Sequence, residues 1–147
     1  MRIVPNDLFF SWVESEISDG RSVRFRLKGV SMLPLIRGDK DDVLLSPCKP
    51  QDLKAMDVVL FRYQGKHLLH RIIQRDGDNL LIQGDGSVVA QERCTIHDVV
   101  GKLEVVIKKN GREIRVESRK WRFNSWLWWK LTPFRYVFLK IYAVIFR

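Results

Sequence analysis

The sequence predicts a mostly β domain that opens with a helix and closes with an amphipathic helical tail. Short apolar runs with a period of two, separated by turn signals, fill residues 20 to 117. A helical period precedes them, and an aromatic, basic segment follows. With 147 residues, 46% hydrophobic and 29% charged, the chain has the length and composition for one folded core. That excludes a disordered polyelectrolyte, a collagen-like chain and a disulfide-dense scaffold.

Asn6 is the expected N-cap of the first helix, Asp7 its acidic first-turn residue and Gly20 its stop. Leu8 and Trp12, with Phe9, Val13 and Ile17, recur at i,i+4 spacing and give an apolar face suited to packing on a sheet. Val23, Phe25 and Leu27 then alternate with Arg24, Arg26 and Lys28, the pattern of a half-exposed strand. Further strands are expected over residues 43–45, 57–63, 67–73 and 80–83, bounded by Gly38-Asp39, Gln64-Gly65 and Asp76-Gly77. Runs at 99–108 and 113–117 flank Asn110-Gly111, a hairpin signal. The boundary falls near residues 117–120, giving a domain over 1–118 and a tail over 119–147.

Cys48 and Cys94 make no disulfide framework and no metal-ligand spacing, so a reducing compartment is favoured and no metal or cofactor is expected. Asp39, Asp41 and Asp42 lack the glycine and distal glutamate of a calcium loop and read as a solvated turn. The first residues form no signal-peptide core, and no apolar run is long enough to span a bilayer.

Chemistry concentrates in Lys28-Gly29-Val30-Ser31-Met32-Leu33-Pro34. Gly29 permits a tight turn after a strand, and Pro34 fixes its exit, a setting that can hold a hydroxyl exposed and immobile. A serine becomes a nucleophile only with a base in reach and N–H groups aimed at the developing oxyanion. His70 follows 39 residues later, on a strand face shared with Leu68 and Ile72, while His67 shares the other with Leu69 and Arg71. His97 lies in a polar connector.

Three blocks in order carry a resemblance: residues 29–34 followed by Gly38-Asp39 and Val43-Leu44-Leu45, then residues 56–62 leading to His70-Arg71-Ile72-Ile73, then Gln83-Gly84-Asp85. Together they resemble the serine peptidase superfamily of type I signal peptidases and LexA-type self-cleaving repressors, over roughly residues 20–106. Most bacterial members have a lysine where this chain has His70, and it is the endoplasmic reticulum and archaeal signal peptidases that carry histidine there. The resemblance implies a signal-peptidase-like β-fold with Ser31 as nucleophile, His70 as base, and Gly29 and Met32 in the nucleophile turn, with Val30 and Pro34 beside the substrate. Asp85 matches the Gly-Asp block of the histidine-type enzymes and is assigned to orient His70. Glu92, near the position of their further aspartate, is the alternative, and a plain turn role for Asp85 is the third reading. Gly29 stands where signal peptidases have a hydroxyl, as in the repressors, which leaves the oxyanion hole to backbone N–H groups.

The net charge of +9 lies wholly in the last third: residues 1–101 hold 14 Lys+Arg and 14 Asp+Glu, residues 102–147 hold 12 and 3. Residues 121–147 carry 10 of the 16 aromatics and four of the five tryptophans. Aromatic rings with spaced cations and little acid are the composition of an interfacial membrane segment. Trp121, Trp126, Trp128, Trp129, Lys130, Arg135 and Lys140 are the residues expected to meet anionic lipid. Pro133 breaks the segment, and the run from 136 to 146, about 16 Å as a helix, falls short of a bilayer. Packing on the domain or an oligomer partner is the second reading. Base stacking is the third, since the apolar run has no use against nucleic acid.

The expected function is a serine endopeptidase that cleaves a precursor or signal-like peptide at a membrane surface, placed at the cytoplasmic face of the inner membrane. A peptide-binding or regulatory module of the same fold without the chemistry is the alternative. A repressor is disfavoured, because about twenty residues before the first strand are too few for a helix-turn-helix unit.

Overall fold

Helix α1 (Asn6–Ser18) ends in bonds from Gly20 N to Ile17 O and from Arg21 N to Glu16 O. Val13 and Ile17 are buried, and Phe9 and Phe10 pack against Phe25. Leu8 and Trp12 of the expected face are instead 65% and 50% exposed, because a helix lying on one sheet buries only a stripe of its surface. The computed structural model describes residues 6–87, 89–131 and 134–145. Pro133 and the side chains of Asn6 and Arg135 lie outside the described residues.

The mostly β class is as expected. Strands β1 (Val23–Arg26), β2 (Asp42–Ser46), β3 (Val58–Tyr63), β4 (Lys66–Asp76), β5 (Asn79–Gln83), β6 (Glu92–Thr95), β7 (Val99–Ile107) and β8 (Glu113–Arg115) form one antiparallel sheet. Its order is β1-β2-β7-β3-β4-β5-β6, with β8 also on β7. The first part of β7 pairs with β3, and its last three residues pair with β8 across the Asn110-Gly111 turn. Strand β6 has no sequence signature, since Glu92-Arg93-Cys94-Thr95 lacks alternating apolar residues. It forms by pairing with β5, Ile82 opposite Glu92 and Leu80 opposite Cys94.

Each face of the sheet carries its own core. Val58 and Leu60 pack with α1, Met32, Ile36, Val43 and Leu103 on one side. Val59 and Phe61 pack with Ile72, Leu80, Ile82 and Ile96 on the other. Strand β3 therefore buries four consecutive residues, which is why its sequence is a continuous apolar run.

The tail is not separate from the domain over its first helix. Helix α2 (Arg119–Lys130) is capped by the Ser118 hydroxyl, which accepts from Trp121 N at 3.2 Å. Trp121, Ser125 and Trp128, at 5%, 2% and 7% exposure, recur on one face and lie inside the protein. The opposite face shows Phe123, Trp126 and Leu127 to solvent. Helix α3 (Arg135–Ile145) exposes Val137, Phe138, Ile141, Val144 and Ile145. No helix among the described residues is long and apolar enough to cross a membrane.

Candidate active site

Ser31 sits in a tight turn after β1. Leu33 N bonds Val30 O at 3.2 Å and Ile36 N bonds Met32 O at 3.1 Å. The turn starts from Gly29 at φ +85°, a conformation costly for any side chain, and the Leu33–Pro34 peptide is cis. Ser31 is half-buried, Val30 is 69% exposed and Met32 is fully buried. Pro34, on the far side of the turn, is half-buried. The N–H groups of Ser31 and Met32 have no acceptor in the chain among the described residues, the state required of oxyanion donors.

The segment after β5 closes over this turn. Gly86 N donates to Ser31 O at 2.8 Å, and Asp85 N donates to Met32 Sδ at 3.4 Å. A Cβ on Gly86 would overlap Val30 O. One on Gly84 would overlap Ser31 O and stand 3.1 Å from His70 Nε2. Gly84 thus lies against both the Ser31 carbonyl and the edge of the His70 ring, where no Cβ would fit.

His70, on β4 opposite Val59, is 7% exposed and packs beside the Phe61 ring. Its Nδ1 is hydrogen-bonded to Glu92 Oε1, itself 7% exposed. A carboxylate only accepts, so Nδ1 carries the hydrogen and Nε2 is left as the basic nitrogen toward the Ser31 turn. No hydrogen bond joins the Ser31 hydroxyl to His70 among the described residues.

Asp85 does not orient His70. Its carboxylate takes two bonds of 2.8 Å from Arg71 Nε and Nη2, and a third of 3.0 Å from Trp129 Nε1. The reason is strand alternation: His70 faces Phe61 and β6, whereas its neighbour Arg71 faces the α2 side, where Asp85 is drawn. Of the two carboxylates the sequence left open, Glu92 holds the imidazole. Asp85 is more than a turn residue, since it completes a fully buried ion pair.

Arg71 engages more than Asp85. Its guanidinium lies 5.5 Å from the Trp121 ring and donates to Met56 O at 3.0 Å. Trp128 Nε1 donates to Asp85 O at 2.8 Å. Trp121 and Trp128 are therefore structural rather than lipid-facing, and Trp129 is half-buried in the same network. A buried indole N–H usually needs an acceptor, and Asp85 supplies one each to Trp128 and Trp129.

The other titratable clusters serve the fold. Asp41 bonds Lys108 Nζ and Arg37 N, each at 2.8 Å. Burial raises the Asp42 pKa, but the guanidinium groups of Arg24 and Arg26 outweigh it and hold the carboxyl below its ordinary value. His67 stacks on Phe10 at 4.7 Å and contacts Glu14. Burial, with Asp98 and Glu92 nearby, pushes the Cys94 thiol up to about 11, and burial also raises Cys48. Both stay protonated near neutrality and are therefore poor nucleophiles.

No family model matches the chain, and no curated protein or solved structure matches it.

Proposed function

We propose that this protein is a serine endopeptidase that cleaves a precursor or signal-like peptide at a membrane surface. The observation that carries this reading is the His70 imidazole, fixed at Nδ1 by buried Glu92 with Nε2 turned to the Ser31 turn. In this mechanism Nε2 takes the Ser31 proton as Oγ attacks the scissile carbonyl, and Glu92 stabilises the imidazolium. The Ser31 and Met32 N–H groups receive the oxyanion. His70 then gives its proton to the leaving amine, and water, deprotonated by the same nitrogen, hydrolyses the acyl-enzyme. The same residues carry the resemblance of the sequence to the signal peptidase superfamily. Strand β1 ends the sheet order, so an extended peptide can add to its outer edge next to Val30.

A serine-reactive fluorophosphonate probe tests the reaction. Labelling is expected for the wild type and is expected to vanish in both Ser31→Ala and His70→Ala. Labelling that survives in Ser31→Ala rejects Ser31 as nucleophile. Absent labelling of folded wild type, with peptide binding retained, supports the non-catalytic module.

Membrane attachment is supported by the outer face of α2 and the exposed side of α3, where Phe123, Trp126, Leu127, Phe138 and Ile141 all reach solvent. Lys130 lies 5.8 Å from the Trp126 ring, cation and aromatic together as at a headgroup layer. Sedimentation with vesicles containing anionic phosphatidylglycerol is expected for the wild type. It should weaken about tenfold in Trp126→Asp/Ile141→Asp, two exposed positions where the change cannot disturb the core. Equal sedimentation of both proteins would remove this surface from the proposal. A protein so attached works where its peptide emerges, and the cytoplasmic face of the inner membrane is the proposed site.

A further inference from the structure

Between α2 and the sheet lies a cavity of about 800 Å³, on the opposite side of β4 from His70. It is within the size range of small-molecule sites. Trp121, Trp126 and Trp129 form an aromatic wall, and Lys54, Lys102, Arg122 and Lys130 bring cations to it beside the carboxylates of Asp57, Glu104 and Glu117. Lys102 is bridged to Asp57 at 3.2 Å, whereas Lys54 and Arg122 are exposed at the rim. Ser125 sits on the wall at 2% exposure, and its buried hydroxyl has no hydrogen-bond partner among the described residues. Buried polar groups are almost always satisfied, so an orphaned hydroxyl beside a cavity marks where a ligand atom belongs.

We infer that this cavity binds one single-chain anionic amphiphile, its acyl chain along the tryptophans and its phosphate or carboxylate head among Ser125, Arg122 and Lys54. Apolar walls alone would accept any hydrophobe. With Lys102 paired to Asp57, Lys54, Arg122 and Lys130 outnumber Glu104 and Glu117, and this excess of cations with a hydroxyl able to donate favours an acidic head. The source is the membrane: Trp126 and Lys130 line the cavity and also belong to the exposed lipid-facing surface proposed above, so an amphiphile reaches the cavity without crossing water. In that respect the inference rests on the membrane reading. It does not depend on the peptidase chemistry, although the ligand would touch Arg71 and Trp129, the two side chains that hold the Asp85 carboxylate over the Ser31 turn.

Dodecyl phosphate, kept below its critical micelle concentration, is the probe, titrated into the full chain by calorimetry and tryptophan fluorescence. One saturable site per chain is expected. Affinity should fall about tenfold in Arg122→Glu, a rim change that leaves the fold intact, and at least as much in Ser125→Leu, which fills the cavity. Dodecanol should bind far more weakly than dodecyl phosphate, and inorganic phosphate should not compete. Absence of saturable binding, or equal affinity for dodecanol and dodecyl phosphate, overturns the inference. Unchanged affinity in Arg122→Glu overturns the placement of the head group. Ser125→Leu should still sediment with phosphatidylglycerol vesicles, which separates failure of the cavity from failure of the membrane surface, and probe labelling of Ser31 reports separately on the peptidase.

Discussion

Glu92→Gln is expected to slow acylation of Ser31 by roughly 10²- to 10⁴-fold, with little change in unfolding temperature. The substitution keeps the shape and an acceptor oxygen at His70 Nδ1 but removes the charge that stabilises the imidazolium. Asp85→Asn is expected to do the reverse. It weakens the pair with Arg71 and lowers stability, yet in folded molecules it leaves His70 held by Glu92. Fluorophosphonate labelling rates, measured beside thermal unfolding for the two variants, separate the carboxylates. Equal labelling rates in Glu92→Gln and wild type would show that Glu92 only fills space. A large rate loss at unchanged stability in Asp85→Asn would return the orienting role to Asp85.

Arg71→Met is expected to destabilise the fold by about 3–5 kcal/mol, because it strands the Asp85 carboxylate in a fully buried site. For a chain of this size that corresponds to a fall on the order of 10 °C in unfolding temperature. The cost comes from the unpaired charge rather than from lost attraction. The double variant Arg71→Met/Asp85→Leu, which removes both ions, should therefore regain a large part of it despite losing the Trp129 bond. Circular dichroism melts of the three proteins decide the matter. A double variant no more stable than Arg71→Met would mean that the pair stabilises by attraction and packing, and that α2 docks mainly through Asp85.

These two experiments bear on how the tail and the site are joined. Trp121 contacts Arg71, Trp128 and Trp129 donate to Asp85, and the Asp85 loop bonds the Ser31 turn through Gly86 N. A helix whose other face is proposed to meet lipid thus buttresses the loop that bonds the Ser31 turn.

Local pattern was enough for much of this molecule. A period-two run marked β1, short apolar runs between turn signals marked β2, β3, β4, β5 and β7, Asn110-Gly111 marked the β7–β8 turn, and Gly29 to Pro34 marked the turn that presents Ser31, because each depends on residues adjacent in the chain. His70 was legible as a candidate base for the same reason, as a histidine on an apolar strand face downstream of that serine. The partner of His70 was not. Glu92 lies on a strand with no apolar period, and Asp85 is nearer to His70 in sequence, yet the sheet puts Glu92 beside the imidazole and Asp85 beside Arg71 on the other face. The aromatic tail shows the same limit: composition treated seven residues alike, while packing took Trp121 and Trp128 inside and left Trp126 outside. Composition carries no information about which face of a helix meets the domain. Only the tertiary structure decides that, because Trp121 packs on the Arg71 guanidinium from β4 and the Trp128 and Trp129 N–H groups find acceptors on Asp85, from a loop about 40 residues earlier in the chain.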